Sequence, residues 1–184
     1  MNDNIHDIVD KHLQKWMDLE LNTLPAKLIE PEMSDPKQDT AKEWKTWFPV
    51  NSKVTDIEIH ALENEIGFKL PKSYQSFLKY KHFYELTIGD VSFCAHIINS
   101  WQKSLREMIF NGYPREFLVD KGFIPFANYS DWGLLCFNTA KKDSDNEYEI
   151  ILWDHERWDE VEFKYNNFTE MLIALDAEDD AFRN

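Results

Sequence analysis

The sequence is poor in the features that define several special classes of protein. Its 184 residues include two cysteines, five glycines and seven prolines, and they contain no internal repeat. Cys94 and Cys136 lie far apart in apolar stretches, without the C-x-x-C spacing of redox or zinc sites. No apolar run is long enough to span a bilayer. These absences argue against a disulfide scaffold, a fibrous chain and a helical membrane protein, and we expect two reduced, buried thiols.

The common catalytic motifs are also absent. There is no G-x-S-x-G, H-E-x-x-H, P-loop or G-x-G-x-x-G pattern. Cys94, His96 and Cys136 are candidates for a zinc site, but a structural site normally needs four ligands and no fourth is evident. The carboxylates around His155 resemble an acid–base cluster, although a charged hairpin loop explains them more simply. We therefore expect a protein that is not an enzyme and that holds neither a metal ion nor a cofactor.

Basic residues are scarce relative to acidic ones. The chain has 34 aspartates and glutamates against 20 lysines and arginines, a formal net charge of −14. Such a chain should repel nucleic acid, because nonspecific binding depends on neutralising phosphates with basic side chains. It should attract a cationic protein instead, although acidity also serves solubility alone. The first residues lack the basic and apolar regions of a signal peptide, so we expect a cytoplasmic protein that binds no membrane.

What the sequence does have is 43% hydrophobic and 15% aromatic residues, enough for a packed core. Helical spacing of apolar residues predicts a helix over residues 4–21. Residues 22–40 carry three prolines and predict a linker or an extended surface segment, and residues 41–50 predict a short helix. The aromatic residues expected to clasp the core from that short helix are Trp44, Trp47 and Phe48. We assign residues 1–50 to this helix, linker and clasp, and residues 51–184 to one α+β domain.

A tight corner between two helices is predicted in the stretch VTDIEIHALENEIGFKLPKSYQSFL. Thr55 and Glu58 have the spacing of a capping box, which starts a helix. Gly67 lies where a left-handed residue ends that helix, and Pro71 lies where a first-turn proline opens the next. The residues expected to face inward are Ile59, Leu62, Ile66, Tyr74, Phe77 and Leu78, with Ile57 at their flank.

Beyond the corner the apolar period changes from 3.6 to 2 residues. A hairpin is predicted around Gly89 and Asp90, followed by a helix that begins near Trp101. Four strands come next, FIPFA, WGLLCFN, YEIILWD and VEFKY. The loops between them are too short for crossover helices, so neighbouring strands should be antiparallel. A closing helix is predicted after them, with Asn167 and Glu170 as its caps.

The helical corner, followed by GFIPFANYSDWGLLCFNT, EIILWDHE and FTEMLIAL, resembles the SUKH superfamily. That group includes bacterial immunity proteins and relatives of the yeast Smi/Knr cell-wall regulators, and the resemblance covers roughly residues 50–175. It implies an α+β fold with a single bent, largely antiparallel sheet of about six strands, with helices packed around it. It also implies a function, which is to bind and neutralise a cognate toxin, often a nuclease, by stoichiometric protein–protein contact. The alternative is a non-enzymatic scaffold or regulatory adaptor, as in the eukaryotic relatives.

Two acidic loops, residues 143–149 and 154–160, are the predicted partner-binding surface, and we expect them to project from one region of the sheet. Aromatic side chains rimmed by charge are typical of binding hot spots. Trp158 is the expected anchor, whereas Trp153 should pack in the core. A solvated acidic rim is the simpler interpretation of the same residues. The predicted partner-binding residues are Asp131, Trp132, Asp143, Asp145, Asp154, Glu156, Trp158, Asp159 and Glu160.

Overall fold

The computed structural model describes residues 2–39 and 41–181 of the chain. Thr40, the last residue of the predicted linker, and Phe182, the last residue of the predicted closing helix, lie outside the described residues. The α-helices of the described part are α1 (Asn2–Asp18), α2 (Asp56–Ile66), α3 (Lys72–Leu78), α4 (Trp101–Phe110) and α5 (Phe168–Ala181). Its strands are β1 (Thr23–Pro25), β2 (Trp44–Thr46), β3 (Val50–Asn51), β4 (Lys81–His82), β5 (Thr87–Ile88), β6 (Val91–Phe93), β7 (Phe123–Tyr129), β8 (Gly133–Lys142), β9 (Tyr148–Asp154) and β10 (Val161–Tyr165). None of these helices is long and apolar enough to cross a bilayer.

Six strands form the main sheet, in the order β10-β9-β8-β7-β6-β5, and every neighbouring pair is antiparallel. Two small sheets, β1–β2 and β3–β4, lie outside it. The predicted α+β class and six-stranded antiparallel sheet are therefore confirmed. The four strands after α4 follow one another as a meander because each connection is too short to hold a crossover helix.

The helical corner is confirmed in detail. The Glu58 N–H donates to the Thr55 hydroxyl at 3.3 Å, and the Thr55 N–H donates to the Glu58 carboxylate at 2.9 Å. Gly67 ends α2 with a φ of 87°, a left-handed conformation that side chains disfavour. Pro71 is the N-cap of α3, one position before the first helical residue. The expectation for Ile57 is wrong, since its side chain is 81% exposed on the outer side of α2.

One face of the sheet carries the aromatic core. Phe126 and Phe137 stack there with ring centroids 4.2 Å apart. Tyr74 of α3 and Phe168 of α5 both meet Phe137 from the helical layer, at 5.1 and 6.2 Å. On the opposite face α4 packs against β7, and Tyr113 beyond α4 meets Trp153 edge-on at 4.8 Å. Both faces of the central strands are thus covered, which leaves the loops and edges of the sheet for contact with other molecules.

The segment before the corner differs from its predicted form. Residues 41–50 contain β2 and the first residue of β3 instead of a short helix, because Trp44 to Thr46 pair with β1. Trp47 is buried and clasps the core as expected, whereas Trp44 and Phe48 are exposed. Met33 is fully buried in the stretch predicted as a linker, so that stretch packs on the core.

Candidate partner-binding site

The structure separates the predicted partner-binding residues into two groups. Along the β8–β9 ladder Gly133 is opposite Asp154, and Lys142 is opposite Tyr148. The loop after β9 and the loop before it therefore lie at opposite ends of a seven-residue strand, about 20 Å apart. The expectation that both loops project from one region is wrong. The middle strand of an antiparallel meander has one loop at each end. The acidic composition of the two loops does not reveal that they lie at opposite ends of β9.

We call the first group the tryptophan end. It consists of Asp131, Trp132, Asp154, Glu156, Trp158, Asp159 and Glu160. The second group, at the other end of β9, contains Asp143 and Asp145, and together with Glu147 of the same loop we call it the acidic hairpin.

The β7–β8 turn brings Trp132 to the tryptophan end. Its side chain is 64% exposed. Gly133 follows it with a φ of 150°, and a Cβ at that position would clash with the carbonyl oxygen of Trp153. Only glycine allows this close approach of the turn to β9. Trp132 is therefore held beside the β9–β10 loop by the ladder pair Gly133–Asp154.

Trp158 is half exposed, and a hydrogen bond and a ring contact fix the position of its indole. Its side chain is 51% exposed, while its indole N–H donates to the His155 carbonyl and its ring meets Phe117 edge-on at 5.0 Å. The carbonyl of Trp158 accepts a hydrogen bond of 3.2 Å from the indole N–H of buried Trp153. The two tryptophans thus have different roles, since Trp153 fixes the loop from the core side and Trp158 presents its ring to solvent.

Some of the charge at the tryptophan end is matched locally. Glu160 pairs with Arg157 at 3.2 Å, and Asp159 lies 3.9 Å from the Lys121 ammonium. The Asp154 carboxylate accepts the Glu156 N–H at 2.8 Å and so shapes the turn. Within the described residues neither Asp131 nor Glu156 forms an ion pair. Exposed pairs such as these are weak, so a charged partner can exchange them at little cost.

The acidic hairpin uses its carboxylates to hold its own backbone. Asp143 accepts the N–H groups of Asp145 and Glu147 at 2.8 and 2.9 Å. Glu147 accepts the N–H of Ser73 at 2.9 Å and is also hydrogen-bonded to its hydroxyl, which ties the loop to the first turn of α3. An open groove of about 640 Å³ lies beside it, bordered on the α5 side by Glu170 and the half-exposed Ile173. In this group Asp145 alone has a carboxylate without such a structural role.

The sequence alone missed several apolar residues of this surface. Val161 and Phe163 of β10 are 44% and 52% exposed, and Phe117 supports Trp158 from the segment after α4. Alternation in VEFKY did predict a strand, but it does not reveal that the strand lies at the edge of the sheet. Phe117 is distant in sequence and carries no signal of its own.

Of the residues considered for zinc, Cys136 and His96 are buried, whereas Cys94 is only half-buried, so the expectation of two buried thiols is met by Cys136 alone. Burial raises the pKa of the Cys94 thiol to about 12 and raises that of Cys136 as well. His96 is 4% exposed and its Nδ1 lies 3.0 Å from the Nδ1 of His82. Within the described residues no group of three or more possible ligands is close enough to hold a metal ion.

Comparison with known families gives one match. A family model described as the SMI1/KNR4 family (SUKH-1) matches residues 53–174, which run from just before the cap of α2 into α5. No curated protein matches the chain. The matched region includes both the tryptophan end and the acidic hairpin, and it confirms the family resemblance seen in the sequence.

Proposed function

The chain belongs to the SMI1/KNR4 family (SUKH-1), and from its surface we propose that it is a cytoplasmic immunity protein. Its partner would be a cognate toxin with a basic, nuclease-type domain. Binding would be stoichiometric and would cover the toxin's substrate site. The family match begins at residue 53, which supports treating residues 1–50 as an addition to the family domain.

The observation that carries this proposal is that the Trp158 ring is exposed to solvent and yet fixed in position. An aromatic ring that is half exposed, yet fixed by a hydrogen bond and an edge-on ring contact, loses little conformational freedom on binding. Tryptophans of this kind, surrounded by polar groups, dominate the energetics of protein–protein interfaces. Trp132 adds a second exposed ring at the same end of the sheet.

Charge supports a cationic partner. The net charge of −14 attracts basic proteins over a distance. Asp131 precedes Trp132 and Glu156 lies two residues before Trp158, and neither carboxylate forms an ion pair in the described part of the chain. A specific, stable complex ordinarily buries about 1,200–2,000 Å² in total. Trp132 and Trp158 would lie inside such an area, with the carboxylates at its rim.

Co-expression with the toxin encoded beside this gene tests the proposal. We expect the toxin to kill cells unless the intact chain is present, and we expect Trp158→Ala to lose protection. The matched control is Trp44→Ala, since Trp44 is 57% exposed but lies on β2, outside the family match. Both variants must accumulate as folded protein, as judged by circular dichroism.

Two results would contradict the proposal. If cells expressing the neighbouring toxin survive equally well without this chain, immunity is wrong and an adaptor role becomes the better account. If Trp158→Ala and Trp44→Ala protect like the parent, the tryptophan end is not the contact surface.

A further inference from the structure

The two edges of the main sheet are unequally protected. At one edge β5 has only two residues, its Ile88 is fully buried, and the turn at Gly89 lies against Leu175 of α5. At the other edge β10 has five residues, all exposed or half-buried, and no described strand pairs with its outer side. Natural sheets usually shield such edges, because unpaired backbone N–H and C=O groups accept any strand that fits.

The usual protective devices are weak on β10. It contains no proline, and the lysine that would normally guard an edge is turned away. The Lys164 side chain is only 19% exposed, with its ammonium 4.8 Å above the Tyr129 ring and 3.3 Å from Glu162. A bulge between Phe163 and Tyr165 interrupts the second half of the strand. The first half, Val161 to Phe163, remains regular and adjoins Trp158.

We propose that the outer edge of β10 is where an extended basic segment of a partner protein docks, adding a seventh strand to the sheet. The partner's backbone would pair with Val161 to Phe163, and its alternate apolar side chains would pack on Phe163 and Trp158. The identity of the partner rests on the function proposed above. The strand pairing itself rests on the exposed edge.

Charge selects a basic segment over a second copy of this chain. Beside the pairing stretch lie four carboxylates, three of them paired at the surface with Lys121, Arg157 and Lys164, in weak pairs that a basic segment can replace. These carboxylates belong to Glu156, Asp159, Glu160 and Glu162. Lysine or arginine side chains on an added strand would face them, whereas two copies of the chain would each bring a net charge of −14.

Phe163→Lys tests the edge, because an outward lysine discourages strand addition. Its matched control is Ile57→Lys, which places the same change on an apolar side chain that is 81% exposed on α2. We expect Phe163→Lys to weaken binding of the toxin domain about ten-fold or more and Ile57→Lys to change it less than about two-fold. Hydrogen exchange in the complex should slow at those amides of the stretch Val161 to Phe163 that point away from β9.

A second probe separates this inference from the proposed function. The probe is a fluorescein-labelled heptapeptide of alternating lysine and valine, measured by anisotropy, and its control is the same peptide with every backbone amide N-methylated. We expect the parent chain to bind the first peptide and not the second, and we expect Phe163→Lys to bind neither. Sedimentation of the chain alone reports whether β10 pairs with a second copy.

The outcomes are distinct. If the toxin binds without protecting β10 amides and Phe163→Lys binds it normally, strand addition is wrong while the immunity function stands. If the peptide binds at β10 but the toxin does not bind, the edge inference holds and the proposed function fails. If neither ligand binds, or if the chain dimerises through β10, the inference is overturned.

Discussion

The two ends of β9 carry loops of similar acidity that are built in different ways. In the acidic hairpin, the carboxylate of Asp143 accepts backbone N–H groups of its own loop, and that of Glu147 ties the loop to α3 through Ser73. At the tryptophan end the loop is held largely by indole and backbone groups, including the bond from the Trp153 indole to the Trp158 carbonyl. Apart from Asp154, whose carboxylate accepts the Glu156 N–H at 2.8 Å, its carboxylates face solvent, where two of them form only exposed ion pairs.

This difference indicates which loop is free to bind. A carboxylate that satisfies buried or half-buried donors cannot leave them for a partner without exposing their unmet hydrogen bonds. A carboxylate in an exposed ion pair can exchange partners at little cost. We therefore assign the acidic hairpin to stability and the tryptophan end to binding.

Glu147→Ala should have the largest effect, and it should act on folding. The change removes the acceptor for the Ser73 N–H and hydroxyl at the start of α3. We expect the free energy of unfolding to fall by about 2–3 kcal/mol, as for other hydrogen bonds to charged groups, in urea denaturation. Asp145→Ala, in the same loop, should change it by less than about 0.5 kcal/mol. If the two variants lose the same free energy of unfolding, Glu147 does not have the structural role assigned to it.

Acidification should weaken the fold through the buried pair His82 and His96. Burial, together with the neighbouring His82, lowers the pKa of His96 to about 3, and burial also lowers the pKa of His82. Below about pH 6.5 the unfolded chain takes up protons at these rings while the folded chain does not, so stability falls as the pH drops. His96 alone should account for a loss of about 2 kcal/mol at pH 5.

Urea midpoints measured between pH 7 and pH 5 check this dependence. His96→Gln should flatten the curve. A parent midpoint that does not change over this range would mean that these rings are not held neutral.

Trp158→Ala should act on binding and leave folding nearly unchanged. Its exposed ring is held from below by Phe117, so truncation removes surface area without opening the core. We expect the toxin domain to dissociate about 30-fold faster, equivalent to about 2 kcal/mol, with little change in the association rate. Surface plasmon resonance measures both rates. A loss confined to the urea midpoint would instead place Trp158 with the structural residues.

The contrast between the ends also shows what the sequence could predict. The capping box at Thr55, the left-handed Gly67 and the closing helix cap at Asn167 are local signals, and all three occur in the structure. Strand alternation likewise predicted the meander from β7 to β10. The short helix at residues 41–50 was predicted wrongly because the aromatic spacing fits a helical face, whereas pairing with the distant β1 decides the conformation.

The division of the candidate site required tertiary information. Both loops have the same composition of aspartate and glutamate, and only the ladder places them at opposite ends of β9. The structural role of Glu147 depends on Ser73, which is 74 residues away in sequence. The exposed edge at Phe163 depends on the strand order of the whole sheet. No local pattern reports such long-range pairings, so sequence reasoning located the acidic loops but not their roles.

Charge neutralisation should give the smallest effect, and it compares the two ends directly. Asp131→Asn with Glu156→Gln removes two carboxylates that form no ion pair in the described part of the chain, beside the exposed tryptophans. We expect association with the toxin domain to slow about three-fold at low salt and to become less sensitive to salt, because nearby charges speed the encounter within a Debye length of about 8 Å at physiological ionic strength. The matched variant, Asp145→Asn with Glu170→Gln, removes the same charge beside the groove at the other end. It reduces the net negative charge equally, so if only a general attraction between acidic and basic proteins mattered, association of both variants would slow alike. Only a partner that approaches the tryptophan end would associate with the two double variants at different rates. Equal association rates at every salt concentration would show that binding does not favour that end.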